Sequence, residues 1–133
     1  MRFAKPLIQP ESEDDEQQTL FNLLERLTPR IPELACAFSI PNGGKRHITT
    51  ARRMRATGQK SGIPDLMMAV ARGGFYGLFI EMKSKKGTVA ATQKIWIERL
   101  RAQGYRVEVC YSAAEAVATI EDYLGVRLIK WNT

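Results

Sequence analysis

Apolar residues recur along the chain with two different periods, and each period predicts one type of secondary structure. Four leucines near the start are spaced as on one face of a helix: Leu20, Leu23, Leu24 and Leu27. This spacing predicts a helix over 13–28, capped by Ser12 and acidic in its first turn. Similar patterns predict three further helices, over 46–57, 91–103 and 112–125. The last of them has Ser112 as its cap and Gly125 at its end.

Shorter apolar runs predict four strands, over 35–40, 65–71, 75–83 and 105–111. We expect the first to be a buried strand. The second and third are joined by Arg72, Gly73 and Gly74, which predicts an antiparallel hairpin that turns about Gly73. The tail over 126–133 is expected to be a short edge strand or a contact with a partner. The order of these elements predicts an α/β fold with a mixed sheet flanked by helices.

The length of 133 residues predicts one domain. We expect residues 1–12, which include Pro6 and Pro10, to form an N-terminal arm, and residues 13–133 to form the domain. No segment has the length and apolarity of a signal peptide or of a membrane-spanning helix. The sequence therefore predicts a cytoplasmic protein without a membrane partner.

Two cysteines and one histidine limit the metal and redox chemistry of the chain. Cys36 and Cys110 both lie in apolar runs, so we expect a buried, reduced pair and no disulfide. Because His47 is the only histidine, a zinc site built from cysteine and histidine is not expected.

Positive charge is concentrated in one interval of the chain. The net charge is +6, and residues 34–64 contain no acidic residue but six basic ones: Lys45, Arg46, Arg52, Arg53, Arg55 and Lys60. The rest of the chain is balanced. Concentrated positive charge beside a neutral body indicates a polyanionic partner, most often nucleic acid. A solvated basic helix explains the charge alone equally well.

Three charged residues interrupt the apolar runs of the hairpin: Asp65, Glu81 and Lys83. If the hairpin turns about Gly73, Asp65 lies opposite Glu81, with Cβ atoms about 4.5–5.5 Å apart. Two carboxylates at that distance repel each other unless a cation lies between them or one is protonated. Carboxylates and water are the usual ligands of Mg²⁺. Lys83 projects from the same face of its strand as Glu81, so its ammonium would orient water or stabilise charge on a phosphate.

The alternative is that these three residues form surface ion pairs at an exposed strand end. A lone Glu-X-Lys tripeptide would favour that interpretation, because it is common by chance. Here Asp65 follows a Gly-Ile-Pro turn at the head of one apolar strand, and the tripeptide closes the next strand. This context favours a metal-dependent phosphodiester hydrolase.

The motif "IPD", followed after 15 intervening residues by "EMK", resembles the pattern of the PD-(D/E)XK nuclease superfamily. Five ordered blocks resemble, more narrowly, a stand-alone VRR-NUC domain of the phage and bacterial type: "EDDEQQTLFNLL", "PNGGKR", "GQKSGIPDLMM", "FIEMKSKKG" and "TQKIWIERLRAQGYRVEVCYS". This resemblance runs from about Glu13 to Leu124. It implies a restriction-endonuclease-like fold and Mg²⁺- or Mn²⁺-dependent cleavage of DNA. Small members of the family cleave branched DNA, including four-way (Holliday) junctions, as homodimers.

The resemblance also implies roles for individual residues. Asp65, Glu81 and the backbone carbonyl of Met82 would bind the metal, and Lys83 would be the catalytic lysine. An acid on the first helix would join them, with Glu16 as first choice and Glu13 as second. Both acids also suit a helix N-terminus without any catalytic role.

Two further groups follow from the same resemblance. Gln93 matches a glutamine that would position phosphate or water, although an ordinary exposed helix position is an equally good interpretation. The "AATQ" segment around it lacks the Ser/Thr-Pro-Glu lead-in that is common in the family. The basic interval would contact the DNA backbone, and its candidates are Lys45, Arg46, Arg52, Arg53 and Lys60. The alternatives are a flap or other nuclease on the same fold, or a nucleic-acid-binding module without catalysis.

Overall fold

A computed structural model describes residues 12–41 and 48–130 of the chain. Four α-helices and four strands account for most of this part. In chain order they are α1 (Glu13–Leu27), β1 (Ala37–Ser39), α2 (Ile48–Ala56), β2 (Leu66–Met68), β3 (Leu78–Met82), α3 (Ala91–Ala102), β4 (Arg106–Cys110) and α4 (Ala113–Leu124). A short 3₁₀-helix over Pro32–Cys36 leads into β1. No helix in the described part is long and apolar enough to cross a membrane.

The four strands form one mixed sheet in the order β1-β2-β3-β4. The β1–β2 and β2–β3 pairs are antiparallel, whereas β3 and β4 are parallel and are connected through α3. A parallel pair needs such a crossover, because its strands run in the same direction. The predicted α/β fold with a mixed sheet flanked by helices is confirmed.

Each face of the sheet buries a different set of side chains. One face packs on α1 and α4, where Leu20, Leu24 and Ile120 meet Ile80 and Met82 in the main core. These residues are 1% exposed or less.

The opposite face carries a smaller cluster of Phe79, Val107 and Ile97, the last of which lies on α3. We call this second side of the sheet the α3 face. Strand side chains alternate between faces, so Asp65, Glu81 and Lys83 fall on the α3 face together with Phe79.

The helix ends agree with the predictions from sequence. Ser12 accepts a hydrogen bond from the Asp15 amide at the start of α1, and Ser112 accepts one from Glu115 at the start of α4. Gly125 ends α4 in the left-handed conformation, with φ of 69°. The basic helix predicted over 46–57 is α2, and the helix predicted over 91–103 is α3.

The predictions near β1 are partly wrong. The strand predicted over 35–40 has only three residues, is not buried, and leaves Phe38 46% exposed. Pro32 starts the 3₁₀-helix that takes up Cys36, which is exposed, whereas Cys110 is buried. The two thiols therefore do not form a buried pair.

The tail predicted as an edge strand or partner contact packs on its own chain as far as Lys130. Leu128 is 3% exposed and belongs to the main core. The Arg30 guanidinium donates to the Leu128 carbonyl at 3.1 Å, and the Glu121 carboxylate accepts from the Leu128 amide at 2.7 Å. These bonds use the backbone groups that a strand would need. The arm predicted over 1–12, except Ser12, lies outside the described residues.

Candidate active site

The register of the β2–β3 hairpin brings the first two predicted site residues together. Leu66 pairs with Ile80, so Asp65 and Glu81 lie opposite each other one position farther from the turn. The Asp65 carboxylate accepts a hydrogen bond from the Met82 amide, with an O–N distance of 2.8 Å. Gly73 and Gly74 both have positive φ and form the turn that joins the strands, where Arg72 pairs with Phe75. The register at this turn is offset by one residue from the Leu66–Ile80 pairing.

Glu81 is a buried carboxylate whose negative charge is poorly compensated. It is 1% exposed, and its Oε1 atom has no hydrogen-bond partner among the described residues. The pKa of Glu81 is raised to about 9, first by burial and then by the neighbouring Asp65 carboxylate, while the Lys83 ammonium opposes this shift. A proton or a cation at this position would relieve the repulsion between the two carboxylates.

Lys83 supplies a positive charge beside these carboxylates. Its ammonium lies 3.7 Å from the Glu81 Oε2 atom, and the residue is 7% exposed. The Lys83 amide donates to the Cys110 carbonyl at 2.8 Å, which extends the β3–β4 pairing past the end of β3. Buried lysines are rare unless they are paired, so the pairing with Glu81 accounts for its position.

The two first-helix acids lie in different surroundings. The Glu16 carboxylate accepts a hydrogen bond from the Ala113 amide at 3.2 Å, in the first turn of α4. Glu13, one turn earlier, is close enough for its charge to contribute to the raised pKa of Glu81. Glu13 also lines an open depression of about 420 Å³ together with Ser84, the residue that follows Lys83. The charge of Glu13, the second choice from sequence, therefore acts on Glu81, whereas Glu16, the first choice, bonds to α4. Which of the two acids would reach a metal stays a prediction.

Gln93 has a structural contact of its own. Its side-chain oxygen accepts a hydrogen bond from the Ala90 amide at 2.9 Å and so caps the start of α3. Any role of Gln93 toward phosphate or water stays a prediction.

The basic candidates lie on α2 and on the loop that leads to Asp65. Arg52 and Arg53 on α2 and Lys60 after it are exposed. Lys45 and Arg46 lie outside the described residues. Their contact with DNA stays a prediction.

One pair of basic residues near the site was not predicted from sequence. Lys85 and Lys86 are exposed in a tight turn directly after Lys83, which the Gly87 amide closes by donating to the Ser84 carbonyl at 2.9 Å. The signal was the "KSKKG" run itself, because three lysines in four positions beside an acidic strand end indicate an anionic ligand.

The donor atoms at this site fit a hard divalent cation. Asp65 and Glu81 offer only oxygen atoms, and the buried Glu81 Oε1, which has no partner in the described part of the chain, lies next to a second carboxylate. No group of three or more histidine, cysteine or acidic side chains within 12–41 and 48–130 is arranged to hold a metal. A cation here would therefore rely on two carboxylates, backbone carbonyl and water, as Mg²⁺ often does.

Comparisons with known proteins agree with this fold. Residues 14–114 match the VRR-NUC domain family. The structure resembles a solved structure described as a VRR_NUC domain protein, with a TM-score of 0.75 and 26% sequence identity, covering 90% of this chain and 93% of the other. The search of curated proteins gave no significant match. The fold is thus of the nuclease type, and the chain belongs to the VRR-NUC domain family.

Proposed function

We propose that this chain is a metal-dependent endonuclease of the PD-(D/E)XK type that cleaves phosphodiester bonds in branched DNA, with the four-way junction as its preferred substrate. One observation carries the proposal. Glu81 is buried opposite Asp65 with an oxygen that has no partner among the described residues, and the Lys83 ammonium lies 3.7 Å from Glu81. Such a costly arrangement is expected where binding or catalysis needs it.

Asp65, Glu81 and the Met82 carbonyl would hold Mg²⁺ or Mn²⁺, with Glu13 as the acid from α1. The bound ion would polarise the phosphate and lower the pKa of a water molecule. The residues themselves provide the rest. The Met82 amide fixes the Asp65 carboxylate, and the Lys83 ammonium holds an attacking water or a phosphate oxygen in place.

The preference for branched DNA is supported by the distribution of charge. Exposed arginines on α2 suit contacts with phosphates, which give affinity and position without reading sequence. A protein that binds mainly through the backbone selects the shape of its substrate.

Cleavage of a labelled four-way junction, with and without EDTA, tests the activity. Asp65→Ala and Lys83→Ala are expected to lower the rate at least about 100-fold, the usual size of a lost charge-stabilising contact. Asp122→Ala and Lys130→Ala are matched controls, because both residues are exposed and lie away from the site. Equal cutting by the parent and the two site variants would contradict the assignment of the active site.

A panel of flap, splayed, junction and linear duplex substrates tests the substrate. A flap preference would favour a different nuclease on this fold. Junction binding without any product, at every divalent ion concentration, would favour a binding module.

A homodimer belongs to the same proposal. Two symmetric cuts in a junction need two active sites, and one chain supplies one Asp65–Glu81 pair. Light scattering at micromolar concentration, with and without junction DNA, is expected to give the mass of a dimer. A monomer under both conditions would contradict it.

A further inference from the structure

An open, largely apolar cleft lies beside the candidate active site, between the end of α2 and the residue that follows β1. Its volume is about 340 Å³, and its apolar walls are formed by Ile40, Met54 and Ile63. Thr57 and Lys60 lie at its polar rim. We call this feature the α2 cleft.

The α2 cleft begins at the backbone of Asp65. The Ile40 amide donates to the Asp65 carbonyl at 2.7 Å, and Ile63 precedes Asp65 by two residues. Ile40 also packs against the cluster that contains Phe79 on the α3 face. Glu81 occupies that same face, so a ligand in the cleft would lie next to the carboxylate pair.

Hydrogen bonds hold the two walls of the cleft in place. The Gln59 side-chain amide donates to the Pro41 carbonyl at 3.0 Å and ties the loop after α2 to the residues after β1. The Gln59 backbone amide donates to the Met54 carbonyl at 2.9 Å. The Thr57 hydroxyl bonds to carbonyls of the last turn of α2. These bonds satisfy polar backbone groups that would otherwise need water, and they keep the cleft apolar.

The charge around the cleft is strongly positive. Arg52, Arg53 and Arg55 on α2 are exposed, as is Lys60 on the rim. No acidic residue occurs between Glu33 and Asp65. An apolar cleft with a basic surround matches the two parts of a nucleotide, a flat base and an anionic phosphate.

We propose that the α2 cleft receives one unpaired nucleobase of the DNA strand, while its phosphates contact the basic residues of α2. Ligand pockets range from about 300 to 1,000 Å³. The volume of about 340 Å³ is at the lower end of that range and suits a single ring system. Enzymes that bind an extruded base place it between apolar or aromatic side chains in the same way. The inference rests on the proposed nuclease function and makes it narrower: DNA with an unpaired nucleotide near the scissile phosphate is the favoured substrate.

A binding experiment tests the cleft without requiring cleavage. Lys83→Met protein is titrated with a junction that carries 2-aminopurine at an unpaired position, and with the same junction carrying an abasic site there. The abasic substitution removes the base and keeps the phosphate. We expect about fivefold or greater loss of affinity on removing the base, the lower end of the effect of one stacked base. We also expect a fluorescence change of 2-aminopurine on binding.

Met54→Ala in the same background tests the protein side of the contact. With this wall removed, the junction with the base and the junction with the abasic site are expected to bind with affinities within about twofold of each other. The losses of affinity caused by removing the base and by Met54→Ala are therefore not additive. Tyr76→Ala is the matched control, because this aromatic residue is 70% exposed at the opposite end of the hairpin. It is expected to keep the parent preference. A thermal melt of each variant verifies folding.

The outcomes separate this inference from the proposed function. Equal affinity for the junction with the base and the junction with the abasic site would overturn the proposal that the α2 cleft binds a base. This holds even if the parent protein cuts the junction. A preference for the base that Met54→Ala leaves intact would also overturn it. If the protein binds the junction with the base more tightly but cuts no DNA, the result would support base binding in the α2 cleft and overturn the nuclease proposal.

Discussion

Asp65 and Glu81 face each other across the β2–β3 hairpin, but their carboxylates are held in different ways. Asp65 accepts a hydrogen bond from the Met82 amide at 2.8 Å, whereas the buried Glu81 Oε1 has no partner within the described residues. A buried carboxylate without full hydrogen bonding destabilises a fold unless it is protonated or binds a cation. The candidate site is therefore expected to be a weak point of the protein without metal.

Glu81→Gln is expected to stabilise the metal-free protein. The pKa of Glu81 rises from 4.5 to about 9, first because of burial and then because of Asp65. Between these values the folded state binds more protons than the unfolded state, so the free energy of unfolding falls as the pH rises. The variant lacks this titration. It should exceed the parent by about 1–3 kcal/mol at pH 8, the cost of an unsatisfied buried group, and by less at pH 5.

Urea unfolding in EDTA at both pH values measures this difference. Asp122→Asn is the matched control, because its exposed carboxylate pairs with Arg106 on the surface. That control should change stability by less than about 0.5 kcal/mol. A parent protein whose advantage over Glu81→Gln grows with pH would contradict the prediction.

The two acids of α1 should separate into a functional and a structural residue. Glu13→Ala is expected to lower DNA cleavage at least about tenfold, because the proposed cation would lose a carboxylate that lies close to Glu81, with little change in stability. Glu16→Ala is expected to cost about 0.5–1.5 kcal/mol of stability, because the Ala113 amide at the start of α4 loses its acceptor. Asp15→Ala, at an exposed position of the same turn, is the control for both.

Cleavage rates and urea midpoints of the three variants decide between the acids. If Glu16→Ala loses cleavage and Glu13→Ala cleaves at the parent rate, Glu16 would be the acid of the site. Loss in Asp15→Ala would show that the charge of the whole turn matters and not one position.

Local signals made the sheet and the facing positions of Asp65 and Glu81 predictable from sequence. The spacing of these two residues about Gly73 predicted that they face each other, and the pairing of Leu66 with Ile80 agrees with it. The turn at Gly73 and Gly74 is itself offset by one residue from this pairing. The helix ends were predictable for the same reason, because the Ser112 hydroxyl accepts a hydrogen bond from the Glu115 amide only three residues away. Such features depend on residues that are neighbours in the chain, so a pattern of a few letters contains them.

Features that depend on distant contacts were not predictable in this way. The choice between Glu13 and Glu16 depends on where α4 begins, 97 residues away from Glu16. The exposure of Cys36 depends on the 3₁₀-helix over Pro32–Cys36, which ends directly before β1 at the edge of the described sheet. The tail is fixed by Arg30, whose bond to Leu128 spans 98 residues. Tertiary contacts determine each of these three features, and the local sequence pattern does not contain information about them.

Leu128→Ala is expected to destabilise the fold at any protein concentration. Its side chain is 3% exposed in the main core, so its truncation should cost about 2–5 kcal/mol. Arg127→Ala, at an exposed neighbouring position, is the control. Thermal melts over a range of protein concentrations measure the effect. A loss that disappears on concentrating the protein would indicate that the "VRLI" tail segment, as the sequence suggested, belongs to a dimer interface.

The exposed arginines of α2 should determine the salt dependence of DNA binding. Each phosphate neutralised by a basic side chain adds about 0.9 to the slope of log affinity against log salt, through release of counterions from duplex DNA. Arg52→Gln combined with Arg53→Gln should therefore lower the slope by about 2 and weaken binding to all sequences alike. Lys94→Gln and Arg99→Gln are the matched exposed controls on α3, although Arg99 also stacks on Trp96.

Fluorescence anisotropy in Ca²⁺ with the Lys83→Met background gives these slopes without cleavage. A reduced slope for the α2 pair and an unchanged slope for the α3 pair would assign the phosphate contacts to α2. The reverse result would move the DNA path across α3 and away from the α2 cleft. The two slopes together therefore determine whether the basic residues of α2 or those of α3 contact the DNA backbone.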